Sequence, residues 1–98
     1  MSDERVAIVT GSGKGIGRGI AERLARDGYI VVVNFRSDAD AARETLNAIQ
    51  SVSPQSITLQ ADVATPEGAQ HLIAETHAKF GRIDVLVEGL IRITQRMM

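Results

Sequence analysis

Cysteine and tryptophan are absent, and 98 residues include only one tyrosine, two phenylalanines and two prolines. Without cysteine there is no disulfide framework and no thiolate chemistry. With aromatics at 3%, any core must be aliphatic. Neither sign of charge dominates: the formal net charge is -1 and the pI is about 6.1. That balance speaks against a nucleic acid or an anionic membrane as partner. No apolar run approaches a membrane span, and Met1-Ser2-Asp3-Glu4 is short and acidic, unlike a signal peptide. A soluble, cytoplasmic protein is expected. The chain is long enough for one small domain and too short for two.

What is present is a regular alternation of two apolar patterns. Val6-Ala7-Ile8-Val9, Ile30-Val31-Val32-Val33 and Val85-Leu86-Val87 are short β-branched runs of the kind buried on both faces of a sheet. Ile57 to Ala61 is a weaker candidate, interrupted by Thr58 and Gln60, as an edge strand would be. Between them lie helical stripes. The first is Ile16, Ile20 and Leu24, with Ala21 and Ala25 beside them, ended by Asp27-Gly28. The second is Ala42, Leu46 and Ile49, opened by Ser37 with Asp40 three residues on. The third is Ala69, Leu72, Ile73, Thr76 and Phe80, opened by Thr65-Pro66-Glu67 and closed by Gly81. The order β-α-β-α-β-α-β predicts an α/β fold with a parallel sheet and right-handed crossovers.

The turn Thr10-Gly11-Ser12-Gly13-Lys14-Gly15-Ile16-Gly17 joins the first strand to the first helix. Its glycines would weaken either element, but at a strand-to-helix turn they let the backbone bend and approach a ligand. The free N–H groups and dipole of the helix start then suit a pyrophosphate. The spacing excludes a P-loop, because Lys14 is followed by Gly15 and not by Ser or Thr. The G-x-G-x-x-G/A fingerprint also fails, its last position falling on Ile16, Arg18 or Ile20. What fits is Gly11-x-x-x-Gly15-x-Gly17 preceded by Thr10.

This turn resembles the TGxxxGIG turn of the short-chain dehydrogenase/reductases. Asp62-Val63 and Gly81-Arg82-Ile83-Asp84-Val85-Leu86-Val87 resemble the same family, and the wording is most similar to its 3-oxoacyl-acyl-carrier-protein reductase type. The resemblance implies a Rossmann-type three-layer sheet, here partial, with strand order 3-2-1-4. It implies a nicotinamide dinucleotide held by Gly11, Ser12, Gly13, Lys14, Gly15, Ile16 and Gly17. It also implies that the Asp62 carboxylate accepts from the adenine amino group while the Val63 N–H meets a ring nitrogen. The alternative for Asp62 is a turn acid preceding the third helix.

The second strand ends in Asn34-Phe35-Arg36-Ser37. An acid at this strand end would hold a ribose diol and repel a 2′-phosphate. Here Asn34 is neutral and Arg36 is cationic, so Asn34, Arg36, Ser37 and Lys14 point to NADP (NADPH) over NAD; the alternative is that Arg36 and Lys14 are solvated surface charges. His71 and His77 are six apart on one helix and do not share a face, so no metal site is expected. Asp84 beside the last strand suits a structural hydrogen bond, and Tyr29 suits packing.

After Val87 the family continues with an Asn-Asn-Ala-Gly turn, whereas this chain reads Glu88-Gly89-Leu90-Ile91. The family's catalytic Asn, Ser and Tyr-x-x-x-Lys have no counterpart, so the expectation is a single truncated dinucleotide-binding domain over 1–98 with an atypical tail over 88–98. It would hold the cofactor without using it. A non-catalytic NADP-binding module and an inactive fragment are the competing readings. The face opposite the first two helices and the free edge of the fourth strand are expected to be undercovered, favouring a homo-oligomer. The tail Leu90-Ile91-Arg92-Ile93-Thr94 would pair on that edge, pack on that face or stay disordered.

Overall fold

The computed structural model describes residues 4–11 and 15–88, and the backbone of 92–95. The elements are β1 (Val6–Val9), α1 (Gly15–Arg26), β2 (Ile30–Phe35), α2 (Ala39–Ile49), β3 (Ile57–Gln60), α3 (Pro66–Phe80), β4 (Val85–Glu88) and β5 (Arg92–Gln95). They build one sheet of order β3-β2-β1-β4-β5. The first four strands are parallel, with Val9 opposite Val33 and Val87. The expected α/β fold and 3-2-1-4 order are what forms.

The central strands bury both faces because β1 is apolar at every position and β2 is apolar from Ile30 to Val33. Val6, Ala7, Ile8, Val9, Val31, Val32 and Val33 are all essentially inaccessible. Alternation then divides them between two cores. Val9, Val31, Val33 and Val87 meet Ala21 and Ala25 of α1 and Ala42 and Ile49 of α2. Val6, Ile8, Ile30 and Val32 meet Leu72 of α3 and Ile83. Helices α1 and α2 therefore share one face and α3 covers the other, giving three layers. Among the described residues, strand side chains at the centre of the α3 face are fully covered, and the flanking Ile57, Leu59 and Leu86 are half-buried. Over β1 to β4, undercovered positions on this face thus lie at its margins.

Two helix readings shift. The buried stripe of α1 is Gly17, Ala21 and Ala25, with Ile20 and Leu24 flanking it, and Ile16 is 64% exposed. Small residues at the centre let α1 approach the sheet closely. The cap of α2 is Asp38, whose side chain accepts from the Ala41 N–H, and not Ser37. Helix α3 opens as expected on Thr65, whose hydroxyl accepts from the Gly68 N–H, with Pro66 at its first turn, and it ends on Gly81 at φ 79°.

Strand β5 runs antiparallel along β4, from Arg92 opposite Glu88 to Gln95 opposite Val85. The edge of β4 is therefore filled by the chain itself. Of the three alternatives for the tail, pairing on the β4 edge is the one that forms over residues 92–95, so the β4 edge is not free. The pairing satisfies the N–H and C=O groups on that side of β4 and makes β5 the edge of the sheet.

At the opposite rim from the strand ends, hydrogen bonds complete the ladder. The Val31 N–H donates to Ser56 Oγ at 2.9 Å, Ser56 Oγ donates to Ser53 Oγ at 2.8 Å, and Ser53 Oγ donates to the Tyr29 carbonyl at 2.7 Å. Tyr29 packs as expected, against the α1–α2 core, with Arg5 stacked 4.5 Å over its ring.

Candidate functional site

The parallel order places the carboxyl ends of β3, β2, β1 and β4 side by side on one rim. In such sheets ligands bind at this rim, where the strand order reverses. Here the reversal lies at β1, between β2 and β4.

The turn leaving β1 is anchored before it bends. Thr10 is buried, its N–H donates to the Val87 carbonyl at 2.9 Å, and its hydroxyl reaches the same oxygen at 3.4 Å. Gly11 then takes φ 62° and Gly15 takes φ 66°, a region that L side chains enter at a cost. Gly15 begins α1, so the first N–H groups of the helix, which have no intrahelical acceptor, face the rim. Ile16 stands exposed beside them, and Gly17 is buried against the sheet. Ser12, Gly13 and Lys14 lie outside the described residues.

Strand β2 delivers Phe35, Arg36 and Ser37 to the rim. Arg36 and Ser37 are exposed. Among the described residues none forms an ion pair with the Arg36 guanidinium; the nearby acid Asp38 is turned to the α2 terminus and Asp40 pairs with Arg43 at 3.7 Å. Asn34 differs from its expected place. It is 2% exposed, and its Nδ2 donates to the Leu59 carbonyl at 3.1 Å and the Ala61 carbonyl at 3.2 Å. Asn34 shares the face of Val32 and serves the sheet. The alternation of the strand carried that signal.

Strand β3 delivers Asp62 and Val63. Asp62 is half-buried and Val63 is 40% exposed. Asp62 Oδ1 accepts from the Ala64 N–H at 3.0 Å, and the Asp62 carbonyl accepts from the Thr65 hydroxyl at 3.0 Å. The turn role weighed for Asp62 is therefore present, and it engages one carboxylate oxygen; among the described residues nothing bonds Oδ2. Gly68 in the first turn of α3 lies against the Asp62 backbone, so closely that a Cβ there would overlap the Asp62 carbonyl oxygen. Sequence reading missed this contact, although a glycine inside a helix was the available signal.

At the entry of β4, Asp84 holds the frame. Its Oδ2 accepts from the buried Val6 N–H at 2.8 Å, and Arg82 forks onto both oxygens at 2.7 and 2.8 Å. The Arg82 hydrogen bonds, then the Val6 N–H, hold the Asp84 carboxyl below its usual range against the opposing effect of partial burial. Its expected structural role is the one found. Among the described residues no group of three His, Cys, Asp or Glu side chains could hold a metal ion. No described helix is long and apolar enough to cross a membrane.

An open parallel sheet with a glycine turn at the point of reversal defines a Rossmann-type α/β protein. Residues 5–90 match the family model described as short chain dehydrogenase. The chain belongs to that family of oxidoreductases, which bind nicotinamide dinucleotides. It is 43% identical over 85 residues to hydroxynaphthalene reductase of Aspergillus fumigatus, covering 87% of this chain and 31% of that one. It is 41% identical over 83 residues to 3-oxoacyl-acyl-carrier-protein reductase of Staphylococcus epidermidis, covering 85% of this chain and 34% of that one. An actinorhodin polyketide ketoreductase solved with NADPH superposes with a TM-score of 0.80 at 33% identity, covering 89% of this chain and 33% of the ketoreductase. The chain thus spans about a third of the length of the curated relatives. Residues 92–95 lie beyond the family match.

The donor set fits such a cofactor: backbone N–H groups at the α1 start suit a pyrophosphate, and an exposed guanidinium suits a further phosphate.

Proposed function

We propose that this chain holds NADP across the carboxyl ends of β1, β2 and β3, as the cofactor-binding part of an NADP-dependent carbonyl or alcohol oxidoreductase. The cofactor, when bound, supplies the hydride. The residues of this chain bind and orient it. Gly11, Gly15, Ile16 and Gly17 form the described part of the cradle, which Ser12, Gly13 and Lys14 complete. Asp62 Oδ2 and the Val63 N–H take the adenine. Asn34 supports this from within the sheet, and Ser37 lies beside Arg36.

The observation that carries the reading is Arg36, exposed at the exit of β2 and paired with no described acid. A charge-assisted hydrogen bond contributes roughly 1.5–3 kcal/mol, and about 1.4 kcal/mol is tenfold in affinity. Discounted for exposure, Arg36 and Lys14 together are expected to favour NADPH over NADH by about one to two orders of magnitude. A fluorescence titration of the 98-residue chain with each dinucleotide tests this; equal affinities refute it.

Carbonyl reduction also needs a proton donor at the carbonyl oxygen. The sole tyrosine, Tyr29, sits at the far rim, at the start of β2. The chain by itself is therefore expected to bind NADPH without consuming it in the presence of a reactive ketone. Loss of NADPH absorbance in a preparation free of host reductases would overturn that expectation. A self-contained NADP-binding module is the second reading, and the observation favouring it is β5, which covers the β4 edge.

A further inference from the structure

The backbone ladder between β2 and β3 ends at the pair Phe35 and Gln60. Beyond it, the Ala61 N–H donates to the Phe35 carbonyl at 3.0 Å. Arg36 lies one residue past the ladder, where an exposed peptide would be free to rotate. It is held by a side chain: Gln60 Nε2 donates to the Arg36 carbonyl at 3.0 Å. From the other strand, Asn34 Nδ2 donates to the Leu59 and Ala61 carbonyls at 3.1 and 3.2 Å. The two amides cross in opposite directions between the same strand ends. The Asn34 bonds hold the β3 end that leads into Asp62 and Val63, and the Gln60 bond holds Arg36 at the β2 end.

We propose that Gln60 is a positioning residue for recognition of the ribose 2′-phosphate: by bonding the Arg36 carbonyl it extends the β2–β3 ladder one residue and fixes the guanidinium stem. This rests on the NADP reading above. The α1 terminus, which takes the pyrophosphate, is attached to β1 and makes no contact with this clasp through the bonds described. Loss of the Gln60 bond therefore acts on the 2′-phosphate and spares what NADH and NADPH share. Gln60 is exposed, so its replacement leaves the core intact.

The test is the dinucleotide affinity of Gln60→Met and Gln60→Ala, measured by titrating the 98-residue chain with NADPH and with NADH. One neutral hydrogen bond corresponds to about a fivefold loss for NADPH, with NADH held within about twofold. The fragments 2′,5′-ADP and 5′-AMP should divide the same way. In an Arg36→Ala background Gln60→Met should have no further effect on NADPH, as coupled residues require. An unchanged NADPH-to-NADH ratio in a parent that prefers NADPH overturns the role of Gln60 alone. An equal loss for both cofactors shows a merely structural residue and overturns it too. A parent that binds both equally, or neither, overturns the NADP reading and this inference with it.

Discussion

Gly68→Ala is expected to destabilise the chain by about 2–3 kcal/mol, against the usual direction of that substitution. In a helix, alanine is ordinarily about 1 kcal/mol better than glycine. Gly68 lies in the first turn of α3, where that gain would apply. Its Cβ, however, would overlap the Asp62 carbonyl oxygen, which is backbone and cannot swing aside. That carbonyl also accepts from the Thr65 hydroxyl and N–H, so moving it undoes the cap of α3. Gly19 in α1 is the internal control, since nothing lies within 4 Å of its Cβ position. Urea denaturation should show Gly19→Ala neutral or stabilised and Gly68→Ala destabilised. If the two shift alike, the close approach of α3 to Asp62 is wrong. The same displacement carries Asp62 and Val63, so stability and adenine affinity should fall together.

The second large effect belongs to Asp84. Asp84→Ala leaves the Val6 N–H, at a position 1% exposed, without an acceptor, and leaves Arg82 without its carboxylate. The expected cost is about 2–3 kcal/mol, which in a domain of this size lowers the melting temperature by roughly 10–20 °C. The pH dependence follows from the depressed native pKa. The unfolded chain binds a proton to this group near the ordinary value of 3.8, and the native chain does so only at lower pH. Stability from this group is therefore full above 3.8 and is lost as the pH falls through the native value beneath it. Asp84→Asn keeps an acceptor but not the charge, so its stability should fall less steeply below 3.8 than that of the parent. Parallel curves for the two, recorded by thermal melts from neutral pH into the acid range, would show that Asp84 does not contribute in this way.

The parallel sheet was legible because its signals are local and redundant. Val6 to Val9 and Ile30 to Val33 are apolar at every position, and a glycine turn after the first run sets the sense of the crossover. Thr65-Pro66 and Gly81 bounded α3 for the same reason, since caps are short-range chemistry. Features decided by contacts distant in sequence were not legible. Ile16 fits an apolar stripe by spacing, yet it lies at the rim, beyond the sheet that would bury it. Asn34 reads as a strand-end ligand group until β3 is placed beside it. Gly68 reads as a weak point in a helix until Asp62 is brought against it. β5 could not be chosen between pairing, packing and disorder, because a four-residue strand earns its place only from the edge it finds. The residues of the glycine cradle were legible as a set, while the division of labour at the β2–β3 end was not.

The direction of β5 sets the rim at which its last described residue stands. Because it runs back along β4, its last described residue, Gln95, stands opposite Val85, at the rim where β1 begins with Val6. Val6 and Gln95 therefore both stand at the rim away from the glycine turn. A label placed beside Val6 or Gln95 thus sits behind the sheet, and the rim of the glycine turn is left clear of it.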